Sequence, residues 1–126
     1  MYSGLGDGKK AVACVEEVAR LKLEGAPGYA RVPPETIYYQ LGTIQFWYNQ
    51  LDAALANMQK VTANADEVDL NTGVLAWMRV GQIYDLTQRH ELAIEAYKKA
   101  MAYAPEAEAA RESRRYISSP YRREKS

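Results

Sequence analysis

Between Trp77 and Pro105 the apolar positions fall three, four and seven residues apart, the spacing that brings side chains to one face of an α-helix. Trp77, Val80, Gly81 and Tyr84 make one such face, and Ala93, Ile94, Tyr97, Ala100 and Met101 make another. A short polar stretch ending at His90 separates them, so the pattern predicts two helices closed against each other from about 73 to 104. Gly81 and Ala93 are small where bulk would hold the paired helices apart, and the rings of Trp77, Tyr84 and Tyr97 fill the space around them. Gly81 forgoes roughly 1 kcal/mol of helix propensity against alanine, which packing must offset. Pro105 lacks an amide hydrogen and suits the first turn of a following helix, where that donor has no partner anyway.

The same pattern stands 39 positions upstream, since Tyr38, Leu41 and Gly42 match Trp77, Val80 and Gly81, while Ala54, Met58 and Val61 match Ala93, Tyr97 and Ala100. Two positions depart from it. Gln45 stands in the place of Tyr84, a loss that the nearby rings of Phe46 and Tyr48 are expected to offset, and Asp66 stands in the place of Pro105. Asn49 and Gln50 make the turn of this earlier hairpin, at 35–64, and Pro33 and Pro34 start its first helix with Glu35 in the favourable first turn. The glycines and prolines of 25–34 predict an ordered loop. Residues 65–72 are an acidic, exposed insertion, with Asn71 or Thr72 expected to cap the next helix.

At the start of the chain Tyr2 precedes Ala11 by nine positions, as Tyr84 precedes Ala93, and Val15 and Val18 then match Tyr97 and Ala100. Residues 1–24 therefore read as a partial repeat. Met1–Gly6 are the end of a first helix, or a partial lid folded back, and 8–24 are the second helix. Ala11, Val12, Cys14, Val15, Val18, Ala19 and Leu21 spread around more than half of that helix, which expects neighbours on two sides where one is encoded. Either the native protein is longer or a second copy covers the bare side. Glu106–Ser118 form a last helix, with Ala107, Ala110, Ser113 and Ile117 inward and charges elsewhere, the polar outer face a terminal unit needs. Pro120 ends it, and Tyr121–Ser126 are expected to fray.

Trp77, Val80, Gly81, Tyr84, Ala93, Tyr97, Ala100 and Pro105 resemble the tetratricopeptide repeat (TPR), whose pattern runs W-x2-L-G-x2-Y, then A-x3-F, then P. Val80 replaces the leucine and Tyr97 the phenylalanine. The resemblance implies an all-α fold, a right-handed superhelix of antiparallel helix pairs. The chain would then comprise a partial repeat at 1–24, repeats at 35–64 and 73–105, and a capping helix at 106–118. About three repeats are needed for independent stability, so a modestly stable monomer, or a dimer, is expected.

Composition narrows the partners. At 126 residues the chain is one domain, and its 16 basic and 16 acidic residues cancel, so no overall field points to nucleic acid or membrane. Arg111, Arg114, Arg115, Arg122, Arg123 and Lys125 lie near Tyr116 and Tyr121, a mixture that can bind phosphates and stack on bases. Interleaved Glu106, Glu108, Glu112 and Glu124 fit a solvated cap better, so no nucleic-acid partner is expected. No apolar run reaches a membrane-spanning length and no signal peptide is evident, so no membrane partner is expected. Cys14, the one cysteine, permits no intrachain disulfide and reads as a small buried hydrophobe among valines. His90, the one histidine, stands in a tight turn without an evident set of converging ligands. Neither a cofactor nor a metal is expected, nor catalysis.

The resemblance also implies where a partner sits, because the first helix of each repeat lines the concave face. The family's groove positions fall on Thr36, Tyr39, Thr43, Phe46 and Trp47, and on Leu75, Met78, Gln82, Asp85 and Leu86. Of these, Tyr39, Thr43, Phe46, Trp47, Met78, Gln82 and Asp85 are the candidate peptide-binding residues. TPR domains that grip a chaperone's carboxyl terminus use lysine, asparagine and arginine at such positions. Tyr39 and Thr43 depart from that set, and Met78 and Gln82 repeat the departure, which suits an apolar or mixed peptide instead. The alternative packs Phe46 and Trp47 against the preceding half-repeat. Two functions follow: a protein-interaction module, or a structural, self-associating part of a longer solenoid or multidomain protein, with a homodimer through the N-terminal helix.

Overall fold

Six α-helices run in chain order through the computed structural model, which describes residues 5–25 and 33–122. They are α1 (Leu5–Leu23), α2 (Pro34–Trp47), α3 (Leu51–Ala63), α4 (Leu70–Leu86), α5 (His90–Tyr103) and α6 (Glu108–Ser118), with a 3₁₀ turn at Ala65–Glu67. The expectations for Met1 to Gly4, for most of the loop at 25–34 and for Arg123 to Ser126 lie outside the described residues. Leu5 and Gly6 belong to α1 and do not close a separate helix. All the regular secondary structure among the described residues is helical, consistent with a TPR-like repeat fold. Consecutive helices pack in order, and α4 is central, since it meets α3, α5 and α6 and touches α2.

The two hairpins, α2–α3 and α4–α5, are built alike at the 39-residue offset. Ala54 and Ala93 are both fully buried. Asn49 and Gln88 both turn the chain at positive φ, 64° and 62°. Each turn closes with the same main-chain bond, Gln50 N–H to the Gln45 carbonyl at 2.8 Å and Arg89 N–H to the Tyr84 carbonyl at 2.7 Å. The small residues in α2 and α4 also do what the pattern predicts. A Cβ on Gly42 would stand 3.1 Å from Met58 Cε, and one on Gly81 would stand 2.6 Å from Tyr97 Cδ1.

Three expectations need correction. Gln45 is not replaced by neighbouring rings, since Tyr48 is exposed; Gln45 is itself buried and bonded. It accepts from Asn57 Nδ2 at 2.8 Å and donates to the exposed Glu16 Oε2 at 3.1 Å, tying α1, α2 and α3 together; burial obliges the amides of Gln45 and Asn57 to pair. The cap of α4 is Asp69, whose carboxylate accepts from the Thr72 amide at 3.2 Å and the Thr72 hydroxyl at 2.6 Å. Cys14 is exposed, because α1 turns Val12 and Ala19 toward α2 instead. At the C-terminus Ala109, Ala110 and Ser113 face inward, with Ala107 and Ile117 partly covered.

Candidate functional site

The helix α6 packs on both α5 and α4, in the place where a further repeat would put its first helix. Ala109 and Ala110 join Val74, Met78 and Tyr97 in one buried cluster, and Tyr116 lies over Tyr97 with ring centroids 5.4 Å apart. Gln82 is buried here as well, meeting the Tyr116 hydroxyl and accepting from Arg79 Nη1 at 2.7 Å. Past α6 the chain does not fray at once. Ser119 is extended (φ −137°, ψ 94°), and Tyr121 turns back toward the ends of α2 and α4. Its ring lies 5.3 Å from that of Tyr116 and 6.3 Å from that of Phe46, against the cluster of Phe46, Ala54 and Ile83.

Asp85 joins these pieces. Its side chain is fully buried, so its charge demands donors. Oδ2 accepts from the Tyr97 hydroxyl at 2.7 Å and from the Tyr121 amide at 2.9 Å, and Oδ1 faces His90 Nδ1 at 2.6 Å. Burial first, and the bond to Asp85 second, hold the Tyr97 hydroxyl far above the ordinary phenol range, so it stays a donor. His90 Nε2 faces the Ile117 carbonyl at 3.2 Å. A neutral imidazole donates to only one of these two oxygens, whereas an imidazolium donates to both. The Asp85 bond accordingly raises the His90 pKa above its ordinary 6.5, helped by Ile117 and opposed by partial burial. Because the folded value is raised, the stabilisation is fully present below about pH 6.5 and fades as pH rises through the folded pKa. We expect the denaturation midpoint to fall between pH 6 and pH 8.5, and to lose most of that dependence in His90→Gln, as followed by circular dichroism.

The seven candidate residues separate into three groups. Phe46 and Asp85 come together around Tyr121. Met78 and Gln82, 4% and 3% exposed, lie under α6 and Tyr116 instead of on an open face, because the cap covers α4. Tyr39, Thr43 and Trp47 remain at least partly open. Tyr39 leans on the α3–α4 core, Thr43 donates to the Tyr39 carbonyl at 2.7 Å, and Trp47 is 53% exposed. The Arg79 guanidinium lies over both the Phe46 and Trp47 rings, 4.7 and 5.3 Å from their centroids, a cation–π arrangement at the edge of this cluster. His90 and Tyr121 are the residues that sequence reasoning missed. The tail's Pro120-Tyr121 pair, an aromatic held just past a helix stop, was the available signal for one of them.

Residues 74–106 match the family model of the tetratricopeptide repeat. This stretch is a tetratricopeptide repeat. The TPR is generally a protein-interaction module and typically non-catalytic, and the match spans most of α4 and all of α5, with the glycine and paired aromatics described above. No curated protein and no solved structure gives a significant match to the chain. No helix among the described residues is long and apolar enough to cross a membrane. Both His90 nitrogens face acceptors of the chain itself, so the ring bridges the Asp85 carboxylate and the Ile117 carbonyl.

Proposed function

We propose that the protein is a non-catalytic interaction module that receives a peptide or protein segment along the face lined by α2 and α4. The observation that carries this reading is the way the stretch after α6 lies there, with one main-chain bond to Asp85 and one ring set beside Phe46. Those are the contacts a foreign peptide would make: a main-chain bond for affinity and a side-chain pocket for selectivity. Residues 35–64 are, on this reading, a second repeat of the same kind, supported by the matching turns and glycine contacts at the 39-residue offset. Tyr39, Thr43 and Trp47 form the open part of the surface, with Phe46 and Asp85 at its end and Met78 and Gln82 as the floor beneath α6.

Selection of displayed random peptides on the native protein, with Trp47→Glu as the counter-selection target, tests this. Peptides that bind the native chain and bind the variant at least tenfold more weakly are expected. Failure to enrich any peptide, or equal binding to both proteins, overturns the reading.

A second reading, self-association through α1, is favoured by the half-covered Val15 and Val18 on a helix whose main neighbour is α2. The outward side also carries Arg20 paired with Glu17 and Glu24, exposed pairs that contribute little, so the apolar strip is narrow. This reading expects a concentration-dependent dimer by light scattering that Val15→Glu dissociates. A monomer at every concentration removes it.

A further inference from the structure

We propose that the cleft at the ends of α2 and α4 is a recognition site for an extended segment carrying an aromatic residue, and that the chain's own Ser119–Arg122 stretch is its resident, displaceable occupant. The inference rests on the interaction reading above and names the ligand class of that same face. Phe46 and Asp85 hold equivalent positions in the two hairpins, 39 residues apart, so one register position supplies an aromatic wall from one hairpin and a carboxylate from the next. A segment crossing from α4 to α2 meets the carboxylate with its amide and the wall with its ring, as Tyr121 does at 2.9 Å and 6.3 Å. Tyr116, 5.3 Å away in an edge-on arrangement, supplies another aromatic side.

The chemistry lets the occupant leave without stranding a charge. Of the three donors on Asp85, Tyr97 and His90 belong to the α4–α5 hairpin and its turn, and they remain when the segment departs. Only the Tyr121 amide goes, and water or an incoming main-chain amide can take its place. The amide contact is indifferent to sequence, because every residue except proline offers one. Selectivity therefore lies with the ring, and the matching partner is a non-helical protein segment presenting tyrosine, phenylalanine or tryptophan beside a free amide. The resident segment competes through its tether. A short linker gives an effective concentration on the order of millimolar, so a foreign segment binds the native chain only when it outcompetes that local supply.

The test uses the full chain and a fluorescein-labelled peptide of residues 117–122, Ile-Ser-Ser-Pro-Tyr-Arg, followed by fluorescence anisotropy. Tyr121→Ala is expected to bind the peptide at least tenfold more tightly than the native chain does. Alanine in place of the peptide's tyrosine should abolish binding. A variant that keeps its helical circular dichroism yet binds no better than the native chain overturns the proposal. So does a variant that loses its helices, because the fold must survive departure of a displaceable ligand. Native-state hydrogen exchange gives a measurement free of any substitution. The Tyr121 amide is expected to exchange at least tenfold faster than the amides of Ala93 and Tyr97, and exchange only at their rate overturns the proposal. Selected peptides that bind at Trp47 without an aromatic requirement and without competing with the tail peptide would leave the interaction reading standing and remove this one. Tail-peptide binding with no foreign segment selected would do the reverse.

Discussion

Replacing Gly81 by alanine lowers the stability of the protein by about 2 kcal/mol, a drop of roughly 6–10 °C in melting temperature for a domain of this size. The added Cβ would stand 2.6 Å from Tyr97 Cδ1 and 2.8 Å from Cζ, well inside contact distance. The ring has nowhere to go. Tyr97 is fully buried, its hydroxyl is held by Asp85 at 2.7 Å, and Tyr116 covers it. Overpacking of a pinned aromatic exceeds the gain of about 1 kcal/mol in helix propensity that alanine brings. Gly42→Ala is the control, since it occupies the equivalent place in the earlier hairpin. Its nearest neighbour is the terminal methyl of Met58 at 3.1 Å, on an unbranched side chain that can swing aside. We expect Gly42→Ala to change stability by no more than about 0.5 kcal/mol in either direction. Thermal melts of the two variants decide the matter, and equal losses would show that the flexibility of the neighbour is irrelevant.

Asp85→Ala costs more, about 3 kcal/mol, because it leaves three donors without their acceptor. The Tyr97 hydroxyl is the most costly of these, because its side chain is fully buried, while Tyr121 and His90 are partly exposed. Tyr97→Phe removes one bond to the charged carboxylate and should cost about 1.5–2 kcal/mol. Because the two residues share that bond, the double variant should be less destabilised than the sum of the singles, as urea denaturation would report. Asp85→Ala should also flatten the pH dependence above pH 6.5, since the raised His90 pKa has the Asp85 bond as its largest cause. A loss below about 0.5 kcal/mol, or an unchanged pH profile, would refute the role given to this carboxylate.

Much of the fold was legible because repeat packing is written in local spacing. Gly81 against Tyr97, Gly42 against Met58, and the turns at Asn49 and Gln88 all lie within one hairpin, where a periodic pattern and a short connection fix the partner. The site was legible only in part. Phe46 and Asp85 could be placed on one register by the 39-residue offset, but the burial of Met78 and Gln82 depends on where α6 settles. Nothing in the spacing of 106–118 states that it covers α4 as well as α5. Gln45 misled for a related reason. Its partners, Glu16 and Asn57, come from two other helices, so a residue that reads as a missing ring is a buried polar junction.

The sequence by itself determined the helix pairs, their antiparallel closure and the small-against-large contacts between them, because each follows from periodicity within about 30 residues. Only the tertiary structure decided what lies on the face of α2 and α4. The Asp85 carboxylate meets the Tyr97 hydroxyl and the His90 ring from α5 and the Tyr121 amide from beyond α6, two separate parts of the chain. Tail docking is a contact between segments that share no spacing, in which the Tyr121 amide adds a third donor to one buried carboxylate and the Tyr121 ring packs beside Phe46 and Tyr116. Such a meeting has no signature along the chain until folding brings the carboxylate indoors.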